Sequence, residues 1–182
     1  MTDKRMIRTY SGIFFSPLDP NPEDIVPLDI AHSLSLMVRA NGHLRCFYSV
    51  GQHCLACEEE AAAEGASRIV RLACLLHDAS EAYISDITRP VKPGLPEYRT
   101  IEKRLQDTIY RRFGIDPDDA EIMQWVSRID DAMLYYEFLA LSGHALFDEA
   151  PPKLTQPDFS FRPFEETERL FLDRLEQLRE DR

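Results

Sequence analysis

The chain has 182 residues, 44% of them hydrophobic, which is enough for one domain with a sizeable core, and no linker-like stretch divides it. A formal net charge of −11 argues against a polynucleotide partner, because phosphate backbones are bound by clustered Lys and Arg. No apolar run is long enough to span a membrane, and the N-terminal sequence lacks the apolar core of a signal peptide, so we expect a cytoplasmic protein with no membrane partner.

The N-terminal part predicts an irregular arm, one amphipathic helix and a polar loop. Residues 1–27 carry several prolines among small polar residues, which disfavours regular structure. Apolar residues recur at helical spacing over residues 28–39. Arg39 and Arg45 flank the loop that follows and are candidates for binding an anion, although exposed arginines are often only solvated.

A second helix is predicted to begin with a capping box, in which Ser49 is the N-cap and Gln52 lies at the third helical position. The helix should run to about Glu64 and end at Gly65. His53 then lies in the first turn. The helix dipole there lowers the pKa of an imidazole and favours the neutral form that a metal ion needs.

Cys54 and Cys57 form a C-x-x-C pair inside this helix. The pair alone is weak support for a zinc or redox site, because the sequence has no second pair and no preceding strand of a thioredoxin-like unit. We therefore predict reduced, buried thiols that fill core space.

The central stretch, residues 69–83, has apolar side chains at near-helical spacing and predicts a core helix capped by Ser67. His77 and Asp78 would lie inside it, where an ionised carboxylate is strongly unfavourable without a compensating cation. Glu81 follows one turn later on the same side. Two interpretations are open: a structural His-Asp pair with a solvated Glu81, or a metal site in which Glu81 acts on the bound ligand.

The next loop, residues 84–94, contains two prolines that end the helical pattern. It brings one carboxylate, Asp86, and two cations, Arg89 and Lys92, to the edge of the His-Asp pair. These charges suit a phosphate ester better than a neutral substrate.

The C-terminal half predicts three further helices. The first covers residues 97–113 and ends at Gly114-Ile115, and the second is long and has Asp116 as its predicted N-cap. Residues 148–163 predict a loop, and residues 165–179 predict a last amphipathic helix. The predicted fold is all-α, a compact bundle of about six main helices.

Candidate metal ligands come from three of these helices. Asp130 and Asp131 interrupt the apolar face of the long helix, and one of them, if it faces the core, needs a cation. It would join His53, His77 and Asp78. Two imidazoles and two carboxylates suit one catalytic divalent transition ion, such as Co, Mn, Zn, Fe or Ni, with positions open for water. Such an ion lowers the pKa of a bound water and polarises a phosphoryl oxygen.

Residues 77–92 read His-Asp-Ala-Ser-Glu-Ala-Tyr-Ile-Ser-Asp-Ile-Thr-Arg-Pro-Val-Lys. This stretch resembles the HDASE…GD…PxPVK sequence of the YfbR-like 5′-deoxynucleotidases, within the HD-domain metal-dependent phosphohydrolases. Residues 29–35 and 47–53 are similar to a subgroup of small bacterial and phage HD hydrolases that includes deoxynucleoside triphosphate hydrolases. The resemblance spans about residues 10–145 and implies one HD-type helical domain over residues 1–182.

The resemblance implies a role for each residue of the pattern. The metal ligands would be His53, His77, Asp78 and Asp130. Asp130 is preferred over Asp131 because Arg128-Ile-Asp130 and Glu137 match the subgroup's basic-x-Asp…Glu pattern. Glu81 and Asp86 would position or deprotonate the attacking water and assist the leaving oxygen.

Residues that would bind substrate are implied less closely. Arg39 corresponds to the family's phosphate-contacting arginine, but the loop from Arg39 to His53 differs from the family's. Arg45, Arg89 and Lys92 are the other candidates for contact with phosphate. The family usually has Gly before the second aspartate of the central stretch, where this chain has Ser85.

The function implied by the resemblance is hydrolysis of a small-molecule nucleotide, foremost a (deoxy)nucleoside 5′-monophosphate, by a metal-bound water with carboxylate assistance. No histidine lies between His77 and His144, so we expect one metal ion rather than two. A homo-oligomer, a dimer or larger, is also implied. The alternatives are a dNTP triphosphohydrolase of the same family, a protein that binds nucleotide or metal without turnover, and a structural protein stabilised by a metal.

Overall fold

The chain folds as an all-α bundle, as the sequence predicts. The computed structural model describes residues 5–180, and the ends of the predicted arm and of the last helix lie outside them. One short hairpin, β1 (Ile7–Arg8) with β2 (Phe14–Phe15), precedes the helices. The helices are α1 (Pro27–Leu36), α2 (Val50–Ala63), α3 (Arg68–Leu76), α4 (Glu81–Ile84), α5 (Pro96–Arg112), α6 (Ala120–Ser142) and α7 (Phe164–Glu180). Within the described part of the chain, no helix is both long enough and apolar enough to cross a bilayer.

The core lies where α2, α3 and α6 pack against one another, with α7 laid across α1, α2 and α3. Its centre is made of fully buried aliphatic side chains such as Leu34, Leu72, Leu75 and Ile129. α5 packs on the other side of α3 and against the arm at Pro22–Asp24. This packing brings the start of α2, the end of α3 and the middle of α6 to one place.

Three predicted helix ends are confirmed. The Ser49 hydroxyl accepts the Gln52 backbone N–H at 3.1 Å, and the Gln52 side chain accepts the Ser49 N–H at 3.3 Å, which completes the capping box. Ser67 caps α3 by accepting the N–H of Val70. At the end of α5, the backbone N–H of Ile115 donates to the carbonyl of Tyr110 at 2.9 Å, as in a Schellman motif.

The predicted core helix is interrupted between α3 and α4, so His77 and Asp78 lie in a turn rather than inside a helix. Gln106 of α5 holds this turn. Its Oε1 accepts the backbone N–H of Ser80 at 3.0 Å, and its Nε2 donates to the carbonyl of Leu76 at 2.8 Å. The side-chain amide thus satisfies backbone groups that the interruption leaves without a helical partner.

The predicted cap of the long helix was wrong. α6 begins after Asp119, whose carboxylate accepts the N–H groups of Glu121 at 2.9 Å and Ile122 at 3.3 Å. Asp116 instead accepts the N–H of Asp118 at 3.0 Å. Aspartate is favoured both in such turns and at N-caps, so the residue type alone does not distinguish the two positions.

The contacts that hold the arm on the helices include an aromatic stack and a buried carboxylate. Phe15 of β2 is fully buried, and its ring stacks on Tyr83 with centroids 4.2 Å apart. The buried carboxylate of Asp29 accepts the backbone N–H of Ser11 at 2.6 Å and its hydroxyl at 2.8 Å. The arm therefore supports α1 and α4.

Residues 144–163 have no helix or strand of their own, as predicted for most of this stretch, yet they are fastened to α2. The buried carboxylate of Glu60 accepts the backbone N–H of Leu154 and, at 2.9 Å, that of Thr155, and it also accepts the Thr155 hydroxyl. Nearer α7, the Gln52 side chain donates to the carbonyl of Ser160 at 3.0 Å. Two side chains of α2, the helix that carries His53, thus hold the segment against that helix.

Ser85 has a backbone conformation that is ordinary for glycine and strained for serine. Its φ is 77° and its ψ is 155°, a region occupied almost only by glycine. Ser85 directly follows α4, so this conformation turns the chain away from the helix. The site where the family pattern has glycine is therefore a site of backbone strain in this chain.

We expect Ser85→Gly to raise the free energy of unfolding by about 0.5–1 kcal/mol, because relief of the strain outweighs the greater freedom of glycine in the unfolded chain. Urea denaturation followed by circular dichroism measures the change. Ser80→Gly is the matched control, because Ser80 has a right-handed helical φ of −63° and should lose stability instead. A Ser85→Gly protein less stable than wild type would contradict the strain.

Candidate metal centre

Two imidazoles and two carboxylates from three parts of the chain meet at one point. His53 lies in the first turn of α2, His77 and Asp78 in the turn after α3, and Asp130 in the middle of α6. His53 is fully buried, while the side chains of Asp78 and Asp130 are 17% and 23% exposed to solvent. The group is therefore closed on the core side and open on one face.

The separations of the ligand atoms overlap those of a metal coordination sphere, but extend to 3.8 Å between His53 Nε2 and Asp78 Oδ2. His53 Nε2 lies 3.1 Å from His77 Nε2 and 3.1 Å from Asp130 Oδ1. His77 Nε2 lies 3.3 Å from Asp78 Oδ2 and 3.7 Å from Asp130 Oδ1. Ligands held at about 2.1 Å from one ion are separated by roughly 3.0–3.4 Å in octahedral or tetrahedral geometry. Two groups of three residues here could hold a metal ion, His53 with Cys57 and His77, and Cys54 with His77 and Asp78, and the Asp130 carboxylate lies beside them.

The other ring nitrogens of the two histidines fix how the imidazoles are oriented. His53 Nδ1 lies 2.6 Å from Glu137 Oε1, and His77 Nδ1 lies 2.8 Å from the carbonyl oxygen of Cys74. A carbonyl oxygen only accepts, so the neutral form of His77 carries its proton on Nδ1, and the lone pair of Nε2 is then available to a cation. A carboxylate beside Nδ1 favours the same tautomer of His53.

Arg39 is buried and contacts two carboxylates of this cluster. Its guanidinium is 3.2 Å from Asp78 Oδ2 and 3.5 Å from Glu137 Oε2. Burial lowers its pKa, but the carboxylates of Glu137 and Asp78 raise it more, so the pKa lies well above its usual value. Arg39 thus connects one candidate ligand to the carboxylate that orients His53.

The carboxylates of the cluster stabilise a positive charge next to the two imidazoles. Burial lowers the pKa of His77, whereas Asp78 and a hydrogen bond to Asp130 raise it, and the net pKa is well above the usual value. Burial raises the pKa of Asp130, but hydrogen bonds from His53 and His77 outweigh burial and bring that pKa well below its usual value. A bound cation would supply the positive charge that this arrangement stabilises.

Glu81 is a buried carboxyl group beside the cluster. Only 3% of the residue is exposed, and its Oε2 has no hydrogen-bond partner among residues 5–180. Burial raises its pKa well above the usual value, and the charges of Asp78 and Asp86 raise it further. Burial also raises the pKa of Asp86, which is half-buried. Both groups therefore hold a proton at a higher pH than ordinary carboxyls.

Two of the predicted substrate-binding cations lie at the rim. Arg89 is exposed and pairs with Asp130 Oδ2 at 2.8 Å and with Asp131 Oδ1 at 2.5 Å. Lys92 Nζ lies 2.6 Å from Glu102 Oε1 and 3.7 Å from Glu81 Oε1. These cations flank the open face of the cluster.

Asp131 and Arg45 are not brought into the cluster. The carboxylate of Asp131 is 45% exposed and pairs with Arg89 at the surface, whereas its neighbour Asp130 lies beside the imidazoles. Arg45 is exposed and lies against Gly143 at the end of α6. The contacts of Arg45 therefore give no support to a role in this site.

Three residues of the site were not predicted as part of it. The sequence analysis named Glu137 only as part of the family pattern. Glu137 follows Asp130 by two helical turns and so lies on the same face of α6, and this spacing could have indicated that it belongs to the site. Cys54 and Cys57 are buried free thiols, as predicted. They also border the cluster, since Cys57 Sγ lies 3.6 Å from His53 Nε2, and Cys54 offers a ligand atom close to those of His77 and Asp78.

Comparison with known proteins adds relatives without assigned functions. No protein-family model matches the chain. Over 111 residues the chain is 41% identical to the uncharacterized protein YfdR of Escherichia coli strain K12, an alignment that covers 61% of the chain and 60% of YfdR. Over 113 residues it is 40% identical to the uncharacterized protein RCAP_rcc00048 of Rhodobacter capsulatus, covering 59% and 58%. The match thus spans less than two thirds of the length of either relative.

Proposed function

We propose that the protein is a metal-dependent phosphohydrolase of nucleotides, foremost of (deoxy)nucleoside 5′-monophosphates. The observation that carries the proposal is a cluster of four N and O donors near coordination spacing, with a buried carboxyl group, Glu81, beside it. A divalent ion held by His53, His77, Asp78 and Asp130 would polarise a phosphoryl oxygen and lower the pKa of water. The HD-type sequence pattern supports the same reading.

The residues of the chain supply the proton chemistry in this proposal. Glu81 is a buried carboxyl group with a raised pKa, and in this proposal its carboxylate form accepts a proton from the attacking water. Asp86 also has a raised pKa and can give a proton to the leaving oxygen. Two carboxyl groups beside an anionic substrate are unfavourable for binding alone, so their presence favours turnover over a pure binding function.

Cations at the rim would hold the phosphate. Arg89 bridges Asp130 and Asp131, and Lys92 bridges Glu81 and Glu102. Either side chain can exchange one of these partners for a phosphate oxygen. The buried Arg39, in contrast, would keep Asp78 in place rather than contact the substrate.

The test is phosphate release from a panel of deoxy- and ribonucleoside mono- and triphosphates with added Co²⁺, Mn²⁺ or Zn²⁺, and with EDTA as the metal-free control. We expect orthophosphate from deoxynucleoside monophosphates in the presence of metal and none in EDTA. Release of tripolyphosphate from dNTPs would instead support the second candidate, a triphosphohydrolase. Hydrolysis that continues unchanged in EDTA would contradict the proposed chemistry.

A further inference from the structure

Two buried thiols of α2 border the candidate metal centre, and neither has a role in the proposed hydrolysis. Cys54 and Cys57 are both free and buried. Cysteine is often buried only to fill space in a core, which is the role that the sequence predicts for this pair. Sulfur is also a soft metal donor, so a thiol that reaches the ion changes which ions the site prefers. The position of each sulfur relative to the other ligand atoms distinguishes these two roles.

The Cys57 sulfur lies against the side of an imidazole ring. It is 3.6 Å from His53 Nε2 and 3.9 Å from His53 Nδ1. Because these two distances are nearly equal, the sulfur is beside the ring and not in line with the Nε2 lone pair, which points out of the ring within its plane. An ion bound at Nε2 lies along that lone pair. The Cys57 side chain would therefore have to turn before it could share an ion with His53 Nε2.

The Cys54 sulfur lies close to two of the candidate ligands. Ligand atoms of Cys54, His77 and Asp78 are all within 4.8 Å of one another, and His77 Nε2 is 3.3 Å from Asp78 Oδ2. In a tetrahedral site, nitrogen at about 2.1 Å and sulfur at about 2.3 Å from the ion are separated by roughly 3.5 Å. A side-chain movement on the order of 1 Å is therefore enough to bring the Cys54 sulfur to coordination spacing.

The backbone of α2 explains why this thiol lies beside the site. Cys54 directly follows His53 in the first turn of the helix, and His53 Nε2 is 3.1 Å from His77 Nε2. The helix start that places the His53 imidazole against His77 thus also places the Cys54 thiol near His77 and Asp78. Cys54 differs in this respect from Cys74, which belongs to neither group of candidate ligands.

We propose that Cys54 is a further ligand of the ion, so that the site selects thiophilic divalent ions such as Zn²⁺, Co²⁺ and Cd²⁺ over Mn²⁺ and Mg²⁺. The Cys54 sulfur bonds to the ion as a thiolate, and its proton passes to the buffer. Thiolate suits the softer ions, whereas Mn²⁺ and Mg²⁺ are bound mainly through oxygen. This inference rests on the metal centre of the proposed function but does not depend on hydrolysis.

The test is the absorption spectrum of the full chain as Co²⁺ is added to the metal-free, reduced protein. A thiolate bound to Co²⁺ gives an intense near-ultraviolet charge-transfer band, which nitrogen and oxygen ligands do not give. We expect the band to saturate at about one Co²⁺ per chain and to disappear in Cys54→Ser and Cys54→Ala. Cys57→Ser, a buried thiol of the same helix, is the matched control and should keep the band. Cys46→Ser removes the exposed thiol and should keep it as well.

Metal affinity gives a second readout. Cys54→Ser should weaken binding of Cd²⁺ at least about tenfold and change binding of Mn²⁺ by less than about threefold. Calorimetry measures both affinities, and thermal melting of each variant checks that it is folded. A wild-type protein without the band, a band that both Cys54 variants keep, a band that Cys57→Ser removes, or an unchanged Cd²⁺ affinity in Cys54→Ser would overturn the assignment.

Failure of this assignment and failure of the proposed function give different results. A protein that shows the band but hydrolyses none of the nucleotides lacks the proposed activity and keeps Cys54 as a ligand. A Co²⁺-loaded protein that hydrolyses nucleotides without showing the band keeps the proposed activity and lacks the thiolate ligand.

Discussion

Asp130→Ala should remove both metal binding and phosphohydrolase activity, whereas Asp131→Ala should leave both nearly unchanged. Asp130 Oδ1 lies 3.1 Å from His53 Nε2, and Asp131 lies at the surface with Arg89. Loss of one ligand both weakens the site and misplaces the ion, so we expect activity to fall about a thousandfold. Elemental analysis after dialysis measures the metal content, and phosphate release measures the activity.

The adjacent aspartates make this comparison a strict one. Both substitutions remove one carboxylate from α6, so the net charge and the helix propensity change equally. The wild-type protein should contain about one ion per chain, since the ligand set has room for one. Equal loss of metal in the two variants would show that the ion is not bound at this cluster. Retention of metal by Asp130→Ala would show the same.

Glu81→Gln should lower kcat by about a hundredfold to a thousandfold and at the same time stabilise the metal-free protein. The amide keeps the shape of the side chain but cannot accept a proton from water. It also removes a carboxylate whose ionised form is unfavourable in a buried site near Asp78 and Asp86. Steady-state kinetics and thermal melting measure the two effects.

The stability difference should depend on pH in a defined direction. The pKa of Glu81 is raised above its usual 4.5 in the folded protein, so the folded state keeps the proton that the unfolded state has already lost. The wild type therefore loses stability relative to Glu81→Gln as pH rises from about 4.5 to the raised pKa, and the difference is constant above it.

Chemical denaturation in EDTA across this pH range measures that difference. Glu176→Gln, at an exposed position of α7, is the matched control for loss of one carboxylate. A Glu81→Gln protein that keeps wild-type kcat would remove Glu81 from the reaction. A stability difference that shrinks as pH rises would show that the Glu81 pKa is not raised.

The features predicted correctly from the sequence are those set by a few neighbouring residues. The capping box at Ser49, the cap at Ser67 and the glycine stop at Gly114 each depend on hydrogen bonds within one turn. The apolar spacing of the helices gave the all-α class for the same reason. Local sequence was sufficient to predict these features because their hydrogen bonds join residues that are close in sequence.

Features that depend on a distant partner could not be predicted in the same way. The break before His77 depends on Gln106, and apolar spacing continues through it because α3 and α4 both contribute to the core. The burial of Arg39 depends on Asp78 and on Glu137 of α6, which lie far from it in sequence. Sequence spacing likewise cannot show that Asp130 faces the imidazoles and Asp131 does not.

The fastening of residues 144–163 has a consequence for local opening. This segment is held by hydrogen bonds to Glu60 and Gln52 and by the Tyr136 hydroxyl, which donates to the Pro151 carbonyl at 2.6 Å. The rings of Phe159 and Phe161 also contact Tyr48 and Phe47, but the segment has no hydrogen bonds of regular secondary structure. It can therefore detach without unfolding any helix, at a free energy below that of global unfolding. The N-terminal turn of α2 next to His53 would then become accessible to solvent from behind. Exposure of this turn would then depend on the anchoring of the loop rather than on unfolding of the bundle.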